Sequence, residues 1–481
     1  MIHLKGIARL LGFLLFLLAG FLLIPLGIAL FEGPRTWQAF LFTMIIMAVS
    51  GLVLLLVSTG ERFIKLQVRH AFLFVTLSWI SAAGFGALPF TLSGSIPSYT
   101  DAFFETMSGF TTTGASILTE IEGLPRSILF WRSLTHWLGG MGIVVLTVAL
   151  LPLLGVAGAQ LFKAESPGPT LEKVTPTIAQ TAKVLWKIYV GFTAAETVLL
   201  MLGGMDLFDA LTHTFGTLAT GGFSPRNQSV GAYRSAYVDV VITVFMLMAG
   251  FNFGLYHRVW SGKGRDILRN TEARAYAGIF AVSTLAVAFA VRPLYGSLLN
   301  ALRYAGFQVA SLLTTTGFAT TDFDAWPAFA KGVLFFLMFV GGCSGSTGGG
   351  IKVIRLVTLA KQAVVELKYL LFPYGVFRPR VNGEPVRKDF LMSISGFFFL
   401  YIAILLAVTL VVTSGGYDLT TSFSSALVTL GNIGPGFAKI GPTQNYAFLP
   451  AYIKWVLSVA MLLGRLELYT VLVVFHPRFW R

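Results

Sequence analysis

Four stretches of this chain gather oxygen-bearing and turn-prone residues: "TTTGA" at 111–115, "ATGGF" at 219–223, "TTTGF" at 314–318 and "GNIGPG" at 431–436. A fifth, "GGCSGSTGGGIKVIR", runs from Gly341 to Arg355 and breaks off an apolar run, "GVLFFLMFV". Threonine hydroxyls and backbone carbonyls are neutral oxygen donors, and rings of carbonyls replace the water shell of a dehydrated alkali cation. Glycine permits the backbone angles that a tight carbonyl ring needs. Threonine before it is β-branched, favours extended backbone and adds another oxygen. The chemistry in view is coordination, with no bond made or broken. The rest of the sequence agrees. The single cysteine, Cys343, leaves no intrachain disulfide framework and no cysteine metal site. The six histidines, at 3, 70, 136, 213, 257 and 476, include no close pair at helical spacing, which disfavours a haem or di-metal enzyme. No convergent carboxylates or histidines mark one membrane face, which disfavours a membrane-embedded enzyme such as a lipid-modifying transferase.

The elements that must position these stretches are membrane helices. Of the 481 residues 55% are hydrophobic and only 12% charged, whereas soluble domains carry about 25% charged residues. Apolar runs long enough to cross a bilayer recur from end to end. The first, Leu10 to Phe31, is too long for a signal h-region and is followed at once by another, so it reads as a retained span. Spans are expected near 10–31, 37–57, 71–93, 128–154, 183–205, 236–256, 275–292, 329–347, 390–413 and 451–475. Ten spans put both termini on one side. Most of the 35 Lys and Arg fall there, in clusters at Arg62, Lys65 and Arg69, at Arg258, Lys263, Arg265, Arg269 and Arg274, and from Lys352 to Lys388. The positive-inside rule makes that side cytoplasmic. The net charge of +14 is thus a topology signal, and nucleic-acid binding is not expected.

Internal repetition organises the chain. "DAFFETMSGFTTTGAS" from Asp101 matches "DALTHTFGTLATGGFS" from Asp209. A third copy, "YAGFQVASLLTTTGFA", starts at Tyr304, and a fourth, "TSFSSALVTLGNIGPG", at Thr421. Each copy lies between two expected spans, and the segment before its glycine is too short to span. Asp101, Asp209 and Thr421 suit helix N-caps. The unit is span, short half-helix, irregular Thr/Gly loop, span. Irregular backbone is tolerated at membrane depth only where it lines a cavity, and a half-helix with its C-terminus inward points a negative dipole end at the centre. The fold expected is an all-α polytopic membrane protein with four pseudo-repeats of helix, pore helix, filter loop and helix around a central pore, plus two extra N-terminal transmembrane helices. The units are 1–69 for the N-terminal pair, then repeats at 70–165, 166–274, 275–375 and 376–481.

On these loops and the Gly-rich break, the whole chain resembles the Trk/Ktr/HKT superfamily of potassium transporters. The resemblance implies a selectivity filter at Thr111, Thr112, Thr113 and Gly114, at Thr220, Gly221 and Gly222, at Thr314, Thr315, Thr316 and Gly317, and at Asn432, Ile433 and Gly434. The fourth loop lacks threonines and carries Pro435. Together with the loss of the second half of the TVGYG signature, this implies softer discrimination of potassium over sodium than in a tetrameric channel. The resemblance also implies a gate. "GSTGGGIK" imitates a nucleotide P-loop, but Ile351 stands where the lysine is required and a span, not a strand, precedes it. Gly345, Gly348, Gly349, Gly350 and Lys352 are instead expected to form an intramembrane gating loop, with Lys352 and Arg355 either adding electrostatic resistance or anchoring its end. Arg465, near the middle of the last expected span, is costly there by roughly 2.5–3.5 kcal/mol on insertion scales. It matches an arginine that projects into the family pore as an electrostatic barrier. Glu105 and His213 occupy equivalent repeat positions and read as hydrogen-bonding groups of the half-helices.

The expected activity is potassium uptake, passive and gated, across a bacterial inner membrane, with potassium as transported ion and no cofactor in this chain. The resemblance implies a homodimer in lipid, docked on a cytosolic TrkA-type regulatory subunit that carries the nucleotide sites. A sodium- or proton-coupled symporter is the alternative, with Glu196 and Asp239 as its intramembrane candidates.

Overall fold

The computed structural model describes residues 4–59, 68–142, 178–262 and 264–481. Residues 143–154 of the span expected at 128–154, together with Arg62, Lys65 and Lys263, lie outside the described residues. Among the described residues, six helices are long and apolar enough to cross a membrane, or up to eight if each of two bent pairs counts as one span.

The first two long helices, Leu4–Ala29 and Pro34–Val57, have mean hydropathy 2.6 and 2.8. They pack on each other through a glycine contact: a Cβ on Gly12 would stand 2.9 Å from the Gly51 carbonyl oxygen. Pro34 starts the second of them, where its fixed φ suits a first turn. Four units follow. Each opens with a long helix: Arg69–Ser93, Gln180–Leu202, Thr271–Tyr295 and Lys388–Thr413. Each then folds back as a half-helix: Tyr99–Phe110, Leu207–Leu218, Leu298–Leu313 and Leu419–Leu430. A loop returns the chain to a closing helix: Arg126–Gly140, Ala236–Ala249, Ala328–Leu337 and Ala451–Arg465.

The burial pattern follows from this nesting. The half-helices are buried nearly all round in their C-terminal halves, while three of the four long opening helices bury a third or less of their most apolar window and Arg69–Ser93 buries 61%. Lys388–Thr413 has 33% of its most apolar window buried, leaving Phe399, Leu406 and Leu410 on the surface. That inverted exposure is what a hydrocarbon solvent permits.

Three expectations need correction. The half-helix caps are Ser98, Asp206 and Asp418, not Asp101, Asp209 and Thr421. The expected residues sit three places later, where their amides are the donors: the Asp209 amide reaches Asp206 Oδ1 at 2.7 Å and the Thr421 amide reaches Asp418 Oδ2 at 2.9 Å. The span expected over 329–347 is helical only from Ala328 to Leu337, so the chain leaves the helix before the Gly-rich stretch begins at Gly341. Arg465 is not mid-helix. It is the last residue of its helix, at a 111° bend into Tyr469–Phe475, where Glu467 and Leu468 adopt φ of 57° and 54°.

Candidate functional site: four loops on one circuit

The four half-helices end identically. The residue two before each repeat glycine is left-handed: Thr112 (φ 53°), Thr220 (55°), Thr315 (60°) and Asn432 (54°). The amide after it bonds five residues back, from Thr113 to Ser108, Gly221 to Gly216, Thr316 to Ser311 and Ile433 to Val428, at 2.9, 2.8, 2.8 and 2.8 Å. The left-handed residue's own amide bonds three residues back. These are the paired bonds of a Schellman ending. They satisfy two terminal carbonyls of each half-helix and leave the others directed beyond its end. Glycine ordinarily takes the left-handed place in this motif. Here three β-branched threonines take it, at a cost of order 1–3 kcal/mol each, so the surroundings must hold them there.

The repeat glycines are left-handed as well, at φ 80°, 79°, 82° and 94° for Gly114, Gly222, Gly317 and Gly434. Their neighbours show why no side chain fits. A Cβ on Gly114 would stand 2.1 Å from the Gly221 carbonyl oxygen. On Gly222 it would meet the Thr316 oxygen at 2.1 Å, on Gly317 the Ile433 oxygen at 2.1 Å, and on Gly434 the Thr113 oxygen at 2.6 Å. Each glycine thus abuts the carbonyl that precedes the next repeat's glycine, and the fourth abuts the first. The circuit closes, with the oxygens of Thr113, Gly221, Thr316 and Ile433 in equivalent places around it.

Side chains fix each loop from behind. Glu105 accepts from the Ser116 hydroxyl and the Ile117 amide, both at 2.9 Å, and from Arg132 Nε at 2.7 Å. Arg132 also donates to the Ser224 carbonyl at 3.0 Å and lies 3.6 Å from the Phe223 ring centroid. In the second repeat His213 Nε2 and the Ser224 hydroxyl are 3.0 Å apart. Gln308 donates to the Thr320 hydroxyl at 3.3 Å in the third, and Ser424 brackets Phe437 in the fourth. Further bonds tie loop to loop. The Ala438 amide reaches Asp324 Oδ2 at 2.9 Å, the Tyr446 amide reaches the Ser116 carbonyl at 2.8 Å, and the Tyr446 hydroxyl donates to the Gly434 carbonyl at 2.8 Å.

A cavity of about 220 Å³ opens on one side of the circuit, lined by Gly114, Gly222, Gly317 and Gly434 and by the segments that follow them. Residues 341–350 take no part in its lining. They pack against the other side. The Gly349 amide donates to Thr315 Oγ1 at 2.7 Å. A Cβ on Gly349 would stand 2.6 Å from the Gly431 oxygen, and one on Gly348 3.1 Å from the Thr314 oxygen. Gly345 and Gly350 carry φ of 73° and 63°. Cations hold this stretch by its carbonyls. Arg465 donates to the Thr347 carbonyl at 2.7 Å and, through its other terminal nitrogen, to Gly139 and Gly140 at 2.6 and 2.8 Å. Lys352 Nζ donates to the Gly348 carbonyl, and Arg355 pairs with Glu467.

The structure therefore brings together the four loops, the Gly-rich stretch, Lys352 and Arg465. It sets Glu196 and Asp239 apart from them. Glu196 is fully buried on the long helix of the second repeat, with both carboxyl oxygens unpaired. Asp239 is 3.4 Å from Arg303. Sequence reasoning passed over Arg132, Asp324, Tyr446 and Glu272, whose partners are remote in the chain.

Four membrane-embedded units closed on one circuit define a helical membrane transporter. Comparison with known proteins gives its kind. The TrkH family model, described as a cation transport protein, matches residues 36–481. The Trk system potassium uptake protein TrkH of Salmonella typhimurium is 40% identical over 486 residues, covering 100% of both chains. The Trk system potassium uptake protein TrkI of Halomonas elongata is 37% identical over 477 residues, covering 99% of this chain and 96% of its own. The crystal structure of the potassium transporter TrkH from Vibrio parahaemolyticus superposes with a TM-score of 0.89 at 36% identity, covering 100% of both chains. The chain belongs to the TrkH family.

Proposed function

We propose that this protein takes up potassium through a gated, channel-like pore, passively and down the electrochemical gradient. The observation that carries this reading is the closed circuit of glycines and carbonyl oxygens. On this reading Thr111 to Gly114, Thr220 to Gly222, Thr314 to Gly317 and Asn432 to Gly434 form the filter. The half-helix C-termini add negative dipole ends beneath it, and the carbonyls of the circuit stand in for a hydration shell. Anions meet the wrong end of every dipole. The 220 Å³ cavity is the outer mouth.

The Gly-rich stretch on the opposite side is the gate. Gly345, Gly348, Gly349 and Gly350 let it fold tightly under the third and fourth loops. Lys352 and Arg465 both donate to its carbonyls and place positive charge on the path. A cation leaving the filter meets backbone first and charge second, so opening requires the stretch to withdraw. The termini lie on the cytoplasmic side of a bacterial inner membrane. The protein works as a homodimer under a cytosolic TrkA-type subunit, where the nucleotide binds. No covalent chemistry is assigned to this chain.

Ion flux into liposomes containing the purified chain, with the proton and sodium gradients set independently, tests the reading. Passive uptake follows the potassium gradient alone. Uptake that needs a proton or sodium gradient would establish the coupled alternative, for which the unpaired Glu196 carboxyl is the one supporting observation.

A further inference from the structure

The gate must be held at both ends, because a loop anchored only at its middle would not occlude a fixed path. One side chain meets both ends. Glu272 is 5% exposed in the first turn of Thr271–Tyr295. Its Oε1 accepts the Ser344 amide at 2.7 Å, where the stretch begins, and the Ile354 amide at 3.1 Å, where it ends. The eleven residues from Ser344 to Ile354 are thereby closed on one oxygen. A short bridge overlaps this closure and ties the chain just before it to Ile351, with Val340 paired parallel to Ile351 and the Gly341 amide on the Ile351 carbonyl at 2.9 Å.

The backbone around Glu272 is itself fixed. Asn270 caps the helix, its Oδ1 accepting the Ala273 amide at 3.0 Å. Thr271 exchanges two bonds with Asn382, at 2.7 and 3.0 Å. Asn382 and Gly383 (φ 53° and 87°) turn the hairpin Arg380–Val381 with Glu384–Pro385, and both left-handed residues suit such a turn. Lys361, on the helix that leaves the gate, donates to the Arg380 carbonyl at 2.7 Å. The basic segment before Thr271 and the hairpin after the gate thus meet one residue from Glu272.

We propose that Glu272 is a positioning residue for gating, a staple that closes the Gly-rich stretch by holding both its ends. The inference rests on reading that stretch as the gate. Hydrogen bonds to a charged acceptor are among the stronger ones, and loss of a buried acceptor strands the amides it served.

Cys343 supplies the readout. It is the only cysteine, it immediately precedes the Ser344 amide that Glu272 holds, and it is 1% exposed. The experiment measures the rate of Cys343 alkylation by a maleimide, and rubidium flux into liposomes, for the full chain and its variants. Glu272→Ala is expected to raise both by about tenfold, the order of a lost charge-assisted hydrogen bond. Glu272→Gln, which keeps an acceptor oxygen in place, stays within about twofold of the native chain on that account. Where Glu272→Ala does not fold, Glu272→Asp serves, since a carboxylate drawn back by one methylene no longer spans both amides and alkylation again accelerates. Native rates in the Ala or Asp variant, or equal rates for Ala and Gln, overturn the staple. A deletion of residues 345–349 separates the two layers. If the deletion raises flux and Glu272→Ala does not, the staple alone falls. If the deletion leaves flux unchanged, the stretch is no gate and both readings fall.

Discussion

The four repeat glycines, the proposed filter, leave no room for a side chain, which makes the proposal testable. At Gly317 an added Cβ would meet the Ile433 oxygen at 2.1 Å and Pro435 Cδ at 2.9 Å, while φ of 82° strains any side chain. Gly317→Ser must therefore push the adjoining carbonyl outward. The expected result is a rubidium-to-sodium flux ratio that falls by roughly tenfold, the effect of ~1.4 kcal/mol of lost discrimination, while the protein still inserts and folds. Arg465 is a different kind of residue. It occupies three carbonyls, so on the proposed reading truncation removes charge from the path and frees the Gly-rich stretch together. Arg465→Ala is expected to raise rubidium flux several-fold in liposomes, and an unchanged rate would remove the barrier role. Glu105 and Arg132 form a buried ion pair, and losing one partner of such a pair costs about 3–5 kcal/mol. Glu105→Ala should accordingly lower the melting temperature in detergent more than Glu105→Gln does.

The half-helix is the element on which the site depends, and its ends explain its limits. A side-chain cap starts each one, and a Schellman ending with a left-handed threonine or asparagine stops it. At the fourth cap, hydrogen bonds from the Thr421 hydroxyl and amide hold the Asp418 carboxyl below the ordinary aspartate range. A depressed carboxyl contributes stability above its unfolded pKa of about 3.9 and loses it as pH falls through the folded value. Asp418→Ala is expected to destabilise by about 1 kcal/mol, as N-cap losses do, at neutral pH and not in strong acid. Thermal melts at the two pH values check this. The half-helices were legible in the sequence because each is short and apolar and is followed by a glycine-bearing loop, three of the four with threonine before the glycine. Their caps were misplaced by three residues, since an acidic residue favours both the cap and the third helical position and the spacing alone does not choose. The bend at Arg465 was illegible for a different reason. "ELYTVLVVF" continues the apolar run, so hydropathy carries no mark of the left-handed pair Glu467 and Leu468.

At the scale of the whole molecule, one chain supplies all four loops of the circuit, and it need not be symmetric. Three loops offer threonine at the left-handed place and the fourth offers Asn432, which donates to Thr113 Oγ1 at 3.0 Å and to the Met461 carbonyl at 2.9 Å. The third unit alone breaks into the Gly-rich stretch. Repetition, the membrane class and the four loops could be read from residue types and spacing, because both follow from local backbone chemistry and burial. Arg132, Asp324, Tyr446 and Glu272 could not, because each acts on a partner tens to hundreds of residues away, and a lone sequence does not encode which remote backbone a side chain will meet. The central claim, that the circuit of glycines and carbonyls selects the ion, is tested most directly by one measurement: rubidium and sodium flux under identical gradients, in liposomes bearing the chain with residues 345–349 removed so that the gate is open. The account predicts rubidium faster than sodium by roughly tenfold or more, with Gly317→Ser in the same background bringing the two together. Equal rubidium and sodium rates before that substitution would contradict it.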